Sequence, residues 1–190
     1  MRTPTILMGI VAAIFAGSVA SVALRADDHD GRGDDSRAKI GLAYARQQGI
    51  TLNFRGRDRE TVGLGSYLVN AIGGCNDCHT APSYSQDPFA FLGAPKQVNV
   101  GCYLAGGQAF GPFVSRDITP FENGKPAGLT FKEFLHVIRT GQDPDHPKEV
   151  LQVMPWPTFQ TMTDGDLFAI YEYLSSIPAI AANICGVPSE

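Results

Sequence analysis

The sequence lacks the features that mark several broad classes of protein. Its 190 residues carry 15 Lys and Arg against 19 Asp and Glu, a formal net charge of -4. Without a basic excess there is little to pair with phosphates, which argues against a nucleic-acid partner. Four cysteines are too few for a disulfide scaffold at this length. The chain also lacks the repeated apolar runs of a polytopic membrane protein, so its composition predicts a globular domain.

A single long uncharged run does occur, at the N-terminus. A basic start is followed by residues 3–24 without a charge, and small residues at 18–23 suit signal-peptidase cleavage. Residues 1–26 are therefore predicted to be a signal peptide. The alternative is an uncleaved membrane anchor, because about 20 apolar residues span a bilayer. Either way the remainder is expected to be exported, and contact with a membrane is expected only if this segment is retained.

The segment after the predicted leader is charged and contains glycine. Residues 27–57 are predicted to be a charged linker and N-terminal extension, with a short helix over 36–48. The main domain is then predicted to cover residues 58–190, including a C-terminal tail. Loss of residues 1–26 removes two bases, Arg2 and Arg25, and no acids, which leaves the exported part more acidic. An acidic protein favours partners with a basic docking patch and a salt-sensitive association.

The most informative motif is Cys75-Asn76-Asp77-Cys78-His79. This C-x-x-C-H pattern is the attachment signature of c-type haem. The two thiols add to the two haem vinyl groups as thioethers, and two intervening residues match the sulfur spacing to those groups. The adjacent histidine then lies beneath the iron as its proximal ligand. The sequence therefore predicts one covalently bound haem c held by Cys75, Cys78 and His79.

The motif has two alternative uses, a thioredoxin-like redox pair and half of a zinc site. The redox pair would need a βαβ context, which the sequence does not show. A zinc site would need a second pair of ligands, whereas Cys102 and Cys185 stand alone in the sequence. In an oxidising compartment these two remaining cysteines are expected to form a disulfide, the alternative being two free thiols.

The sixth iron ligand is predicted to be Met154. It lies between Val153 and Pro155-Trp156-Pro157, and the prolines predict a stiff, extended loop that could present a thioether. The alternative role of Met154 is core packing, the commoner use of methionine. A second protein ligand would close the iron to oxygen and peroxide, and a thioether would raise the reduction potential.

The other candidate ligands have better structural explanations. Met162 precedes a capping sequence that begins at Thr163, and is predicted to form a hydrophobic staple with Leu167. His136 is predicted to face solvent, opposite the apolar stripe of a helix over 130–140. His146 lies in a polar loop and remains an alternative candidate for the sixth iron ligand.

Three helices are predicted from apolar periodicity and capping sequences. The first, over 60–72, carries Leu64, Leu68 and Ile72 on one stripe, and its glycines, Gly63 and Gly65, predict the close approach of another helix. The second, over 130–140, begins with a capping box. The third, over 164–176, ends before a proline. With the haem motif after the first helix and Met154 before the third, the predicted fold class is all-α.

This order of elements resembles cytochrome c. The resemblance is most specific to the cytochrome c modules of bacterial periplasmic dehydrogenases, including alcohol dehydrogenase cytochrome subunits. It covers residues 64 to 178. It rests on YLAGG at 103–107, FGP at 110–112, DITP at 117–120, FKEFLHVIRTG at 131–141 and MPW at 154–156. Those subunits often hold several haems, whereas this chain has one C-x-x-C-H and is expected to be a monohaem relative.

The resemblance implies a cytochrome c-like fold, with helices and long loops wrapped around one haem. It implies a periplasmic electron carrier rather than a catalytic enzyme, with a dehydrogenase as donor and an oxidase or another cytochrome as acceptor. The alternatives are a haem enzyme or gas sensor with an open sixth site, and a dedicated subunit of one dehydrogenase.

The resemblance also implies roles for individual residues. It implies packing at the haem edge by Leu104, Phe110 and Trp156, and propionate contacts from Arg139 or Arg116. Asp117 stands where the family usually has Asn.

Overall fold

The computed structural model describes residues 29–85, 92–181 and Cys185, with side chains from Ser36 onward. The predicted signal peptide or anchor lies outside these residues. Within the described ranges, no helix combines the length and the hydrophobicity needed to cross a bilayer.

The described elements are helices joined by loops, with one small hairpin. The hairpin pairs β1 (Ala109–Phe110) with β2 (Phe113–Val114) in antiparallel register. A π-helical turn covers Leu68–Ile72 and a 3-10 turn covers Val100–Cys102. The α-helices are α1 (His29–Gln48), α2 (Arg59–Tyr67), α3 (Cys75–His79), α4 (Phe131–Thr140), α5 (Trp156–Phe159) and α6 (Asp164–Leu174).

Helix α1 is longer than the short helix predicted over 36–48, because it begins at His29 within the expected linker. It packs closely on α2, since a Cβ on Gly41 would lie 2.0 Å from the carbonyl oxygen of Gly63. The Ser66 hydroxyl also donates to the Gly41 carbonyl over 2.8 Å. Buried Ala45 and Ile50 join the same core cluster as Val62. The extension is therefore part of the packed structure from Ala38 onward.

The opposite face of α2 packs on α6 through a second glycine. A Cβ on Gly65 would lie 1.9 Å from the carbonyl oxygen of Ala169 and 2.7 Å from the Cβ of Tyr173. The expectation that glycine permits close helix packing is confirmed at both positions, since Gly63 faces α1 and Gly65 faces α6. Helix α2 is thus held between two neighbours, immediately before the C-x-x-C-H motif.

The helix predicted over 60–72 changes its winding after Tyr67. The Gly73 amide donates to the Leu68 carbonyl over 2.7 Å, an i to i-5 bond that defines a wider π turn. The predicted apolar stripe does not extend to its last residue, because Ile72 is 63% exposed. A wider turn rotates later residues away from the positions that the α-helical period assigns them.

A closed polar network anchors this π turn to α6. Tyr103 donates to the Asn70 side-chain oxygen over 2.6 Å, and the Tyr103 and Tyr173 hydroxyls are 2.9 Å apart. Asn70 in turn donates to the Ser66 carbonyl over 2.9 Å and to the Tyr173 hydroxyl over 3.3 Å. Because all these groups are buried, each partner offsets a desolvation cost that an unpaired group would carry.

The predicted caps of α4 and α6 are present, with one difference between them. Thr130 and Glu133 exchange side-chain to backbone bonds in a full capping box. Thr163 accepts from the Asp166 amide over 3.0 Å, but the Asp166 carboxylate accepts from the Thr163 hydroxyl rather than from the Thr163 amide. Leu167, the predicted staple partner of Met162, is buried.

The predicted disulfide is confirmed in the structure. Cys102 and Cys185 are bonded, with their Cα atoms 5.5 Å apart and a sequence separation of 83. The bond ties the chain after α6 to the 3-10 turn, beside the Tyr103 network.

Candidate functional site

The C-x-x-C-H motif forms its own short helix, α3. The chain turns into it through Gly74, whose left-handed φ of 59° suits glycine. Cys75 and Cys78 are three residues apart in this helix and therefore lie on one face. Both are free thiols. Desolvation raises the pKa of Cys75 to about 12 and, with the nearby carboxylate of Asp77, raises that of Cys78, so both are neutral at pH 7.

The two residues between the cysteines anchor the motif. Asn76 is buried, donates to the Ser83 carbonyl over 3.0 Å and accepts from the Thr80 hydroxyl over 2.9 Å. The Asp77 carboxylate accepts from the Tyr84 hydroxyl over 2.5 Å. The sequence interpretation treated these residues only as spacers. Their polar character was the available clue, since a pure spacer needs no hydrogen-bonding side chain.

His79 has one ring nitrogen fixed by the main chain. Its Nδ1 lies 2.8 Å from the carbonyl oxygen of Arg116, so Nδ1 carries the proton and donates. Desolvation lowers the pKa of His79, although the bond to Arg116 acts in the opposite direction. The imidazole is therefore neutral at pH 7, with the lone pair of Nε2 left for a metal. A histidine ligand in a metal site has this same arrangement.

A glycine allows the Arg116 carbonyl to approach the motif. The Gly106 amide donates to the His79 carbonyl over 2.7 Å, and the Gly107 amide donates to the Ser115 carbonyl over 3.0 Å. A Cβ on Gly106 would lie 2.5 Å from the carbonyl carbon of Arg116, and its φ of 75° also favours glycine. The segment at 106–107 therefore lies between α3 and the chain that orients His79. This role follows from tertiary packing, which the sequence did not reveal.

Leu104 occupies an unusual conformation beside this segment. It is fully buried, and its φ of 61° is rare for a leucine. Its amide donates to the Thr80 hydroxyl over 2.9 Å, and its carbonyl accepts from the Ile118 amide over 3.0 Å. These two bonds hold the residue in place. Its implied packing at the haem edge stays a prediction.

Met154 lies in a tighter turn than the extended loop predicted for it. Its amide donates to the Gln152 carbonyl over 2.8 Å, and its carbonyl accepts from the Trp156 amide over 2.8 Å. The two prolines do not exclude a helix here, because α5 begins at Trp156 with Pro157 in its first turn. Proline is tolerated there, since first-turn amides need no intrahelical acceptor. The side chain of Met154 is half-buried.

Trp156 packs on the end of α4. A Cβ on Gly141 would lie 2.1 Å from the indole, so this contact requires glycine. Gly141 also accepts from the Leu151 amide over 2.7 Å, which closes a loop over residues 141–151, called here the 141–151 loop. Trp156 thus ties the Met154 turn to α4. Its proposed place in a haem pocket stays a prediction.

The charged and histidine candidates are mostly engaged elsewhere. His136 and His146 are exposed, as predicted for His136. The Arg139 guanidinium bonds the Asp164 carboxylate and the Gln160 carbonyl, and that of Arg116 pairs with aspartates of the 141–151 loop. Both guanidinium groups thus have protein partners, and their implied propionate contacts stay predictions.

Asp117 has a local explanation. Its carboxylate accepts from the Thr119 amide over 2.7 Å. Asparagine could accept this bond equally well through its side-chain oxygen. Desolvation raises the pKa of Asp117 despite that bond. The acid therefore makes a turn that asparagine could also make, at an electrostatic cost.

The donor set fits a covalently attached haem. Two neutral thiols on one face of α3 and a neutral imidazole with a free Nε2 are the groups that c-type attachment requires. A zinc site fits less well, since the disulfide uses the other two cysteines. Among the described residues, no group of three or more His, Cys, Asp and Glu side chains is arranged to hold a metal ion.

Comparison with known proteins finds one informative similarity. Over 149 residues, the chain is 28% identical to a protein named the fructose dehydrogenase cytochrome subunit, from Gluconobacter japonicus. The alignment covers 76% of this chain and 28% of that relative, so the chain spans little more than a quarter of its length. The similarity supports a relationship to dehydrogenase cytochrome subunits at the level of the family. No protein-family model matches the chain. No solved structure matches it either.

Proposed function

We propose that this chain is a periplasmic one-electron carrier with a cytochrome c-like fold and one covalently attached c-type haem. The observation that carries the proposal is the geometry of α3. Two thiols share one helical face, and the adjacent His79 has its Nδ1 bonded to the Arg116 carbonyl, which leaves Nε2 as the ligand atom. When bound, the haem supplies an iron that alternates between its ferric and ferrous states.

The chain's own residues attach the group and hold its surroundings fixed. Cys75 and Cys78 would form the thioethers, and His79 and Met154 would bind the iron. A thioether favours the ferrous state and so raises the reduction potential. The packed helices α2 and α6, the disulfide and the bonds around His79 resist rearrangement. A site that stays nearly unchanged between redox states passes electrons without a large reorganisation.

The donor is proposed to be a periplasmic dehydrogenase, and the acceptor an oxidase or another cytochrome. The name of the Gluconobacter relative, a dehydrogenase cytochrome subunit, supports the donor. The same name favours a second possibility, that the chain is the dedicated cytochrome subunit of one dehydrogenase rather than a free carrier. Co-purification with a large catalytic chain would distinguish the dedicated subunit from the free carrier.

The ligand assignment is tested with two matched methionine variants. In the ferric wild-type protein, we expect the charge-transfer band from methionine sulfur to iron. Met154→Ala should abolish this band, whereas Met162→Ala should retain it because Met162 precedes the N-cap of α6. Carbon monoxide should bind the ferrous wild-type protein poorly at neutral pH and bind Met154→Ala readily.

Two results would contradict the proposal. A band that survives in Met154→Ala would assign the sixth position to another residue. Ready binding of carbon monoxide to the native wild-type protein would instead indicate an open site, as in a haem enzyme or gas sensor.

A further inference from the structure

Arg116 contacts one proposed iron ligand, His79, and the loop that leads to the other, Met154. Its main-chain carbonyl accepts from Nδ1 of His79 over 2.8 Å. Its guanidinium pairs with Asp143 over 2.9 Å and with Asp145, both in the 141–151 loop. That loop leads within three residues to Met154. One residue therefore joins the histidine side and the methionine side of the site.

The 141–151 loop presents a largely buried, hydrogen-bonded carboxylate to this guanidinium. The side chain of Asp143 is only 15% exposed. Its Oδ1 also accepts from the amides of Asp145 over 2.9 Å and His146 over 3.2 Å. The loop is cross-linked by a bond of 3.0 Å from the Asp143 amide to the Glu149 carbonyl. A carboxylate held by its own backbone loses little freedom when it pairs, so the pair is stronger than most surface ion pairs.

The backbone of Arg116 is equally constrained. Gly106 packs against its carbonyl group, and the neighbouring Ser115 is bonded to Gly107 and Gln108. The carbonyl that orients His79 and the guanidinium that holds the loop are thus parts of one fixed residue. Movement of the loop is resisted by the same residue that orients the proximal ligand.

We infer that Arg116 is a positioning residue that keeps Met154 on the iron by clamping the 141–151 loop through Asp143 and Asp145. The inference rests on the proposed His79 and Met154 ligation. The guanidinium is thereby assigned to the protein's own loop and not to a haem propionate. Loss of these ion pairs should make the loop more mobile, so that Met154 dissociates from the iron more easily. The haem should stay attached through its thioethers.

The test is a titration of the ferric holoprotein with imidazole, which competes with Met154 for the iron, at fixed pH and ionic strength. We expect Arg116→Gln to raise the apparent affinity for imidazole about tenfold, a typical effect of losing a charge-assisted hydrogen bond. Asp143→Asn should act in the same direction, and Arg116→Lys should recover part of the loss. The double variant R116Q/D143N should bind imidazole no more tightly than Arg116→Gln alone.

A matched control separates positioning from general stability. Arg57→Gln removes another partly buried ion pair, with Glu172 at 3.3 Å, which connects the chain just before α2 with α6. It should lower the urea midpoint without changing the affinity for imidazole. If Arg116→Gln fails to load haem, Asp143→Asn carries the same test with the Arg116 backbone unaltered.

The outcomes separate this inference from the proposed function. A wild-type affinity in Arg116→Gln or Asp143→Asn, with the methionine band intact, would overturn the role of Arg116 alone. Fully additive effects in the double variant would do the same. Absence of the methionine band from the wild-type protein would refute the proposed ligation, and this inference with it.

Discussion

The close packing of α2 on α6 gives the sharpest prediction about the fold. Gly65→Ala places a Cβ 1.9 Å from the Ala169 carbonyl oxygen and 2.6 Å from its carbon, where ordinary contact is 3.4–4 Å. Because these are backbone atoms, no side-chain rotation relieves the overlap. The two helices must separate by about 1 Å or more, and the contacts between them weaken accordingly.

The size of the effect follows from two opposing contributions. Overpacking a rigid contact costs about 3 kcal/mol, the upper end of the usual range. The higher helix propensity of alanine returns about 1 kcal/mol. The net loss of about 2 kcal/mol lowers a urea midpoint by about 1 M if the m-value is about 2 kcal/mol/M.

The assay is urea unfolding of the purified holoprotein, followed by far-UV circular dichroism, with haem content measured in parallel. Gly165→Ala is the matched control, since Gly165 lies in the first turn of α6 and the nearest atom to its added Cβ is 3.8 Å away. That variant should be as stable as wild type or slightly more stable. A midpoint for Gly65→Ala at or above the wild-type value would refute the close approach of α2 and α6.

Three further substitutions test other parts of the structure. Tyr103→Phe leaves the side-chain oxygen of Asn70 without its 2.6 Å donor and should cost about 1–3 kcal/mol in urea unfolding; an unchanged midpoint would argue against the buried network. C102S/C185S removes a link across 83 residues and should cost about 4.5 kcal/mol by the loop-entropy model; thiol titration of the unreduced wild-type protein should find neither Cys102 nor Cys185 free. Asp117→Asn keeps the acceptor for the turn but removes a carboxylate whose pKa is raised by desolvation. A carboxyl group with a raised pKa destabilises the fold once it ionises, so the variant should be more stable than wild type at pH 7. This gain in stability should shrink as the pH falls toward 3.8, the ordinary pKa. An equal gain at pH 7 and at pH 3.8 would point to another cause.

Local chemistry was predictable from the sequence. The capping box at Thr130 and Glu133 was correct because a cap depends on residues within one turn. The disulfide was predictable by elimination, once Cys75 and Cys78 had been assigned to the haem. The two glycines of α2 were predictable as contact points, because glycine inside a helix is otherwise unfavourable.

Features that depend on distant residues were not predictable in this way. The π turn after Tyr67 is stabilised by the network of Asn70 with Tyr103 and Tyr173, whose members are far apart in sequence. The bond from His79 to the Arg116 carbonyl uses a main-chain atom, which carries no residue-specific pattern. The helical backbone of α1 from His29 was missed because its sequence reads as a charged linker.

The central claim is that one haem is bound covalently through Cys75 and Cys78. The most direct measurement is haem retention in acidified acetone, followed by a pyridine haemochrome spectrum and intact mass of the protein fraction. We expect one haem per chain to remain with the protein, with the spectrum of a haem bound by two thioethers. Cys75→Ser and Cys78→Ser should each shift the spectrum toward a single thioether, and C75S/C78S should release the haem into the acetone. A wild-type protein that releases its haem, or that contains none after expression with c-type haem maturation, would contradict the account.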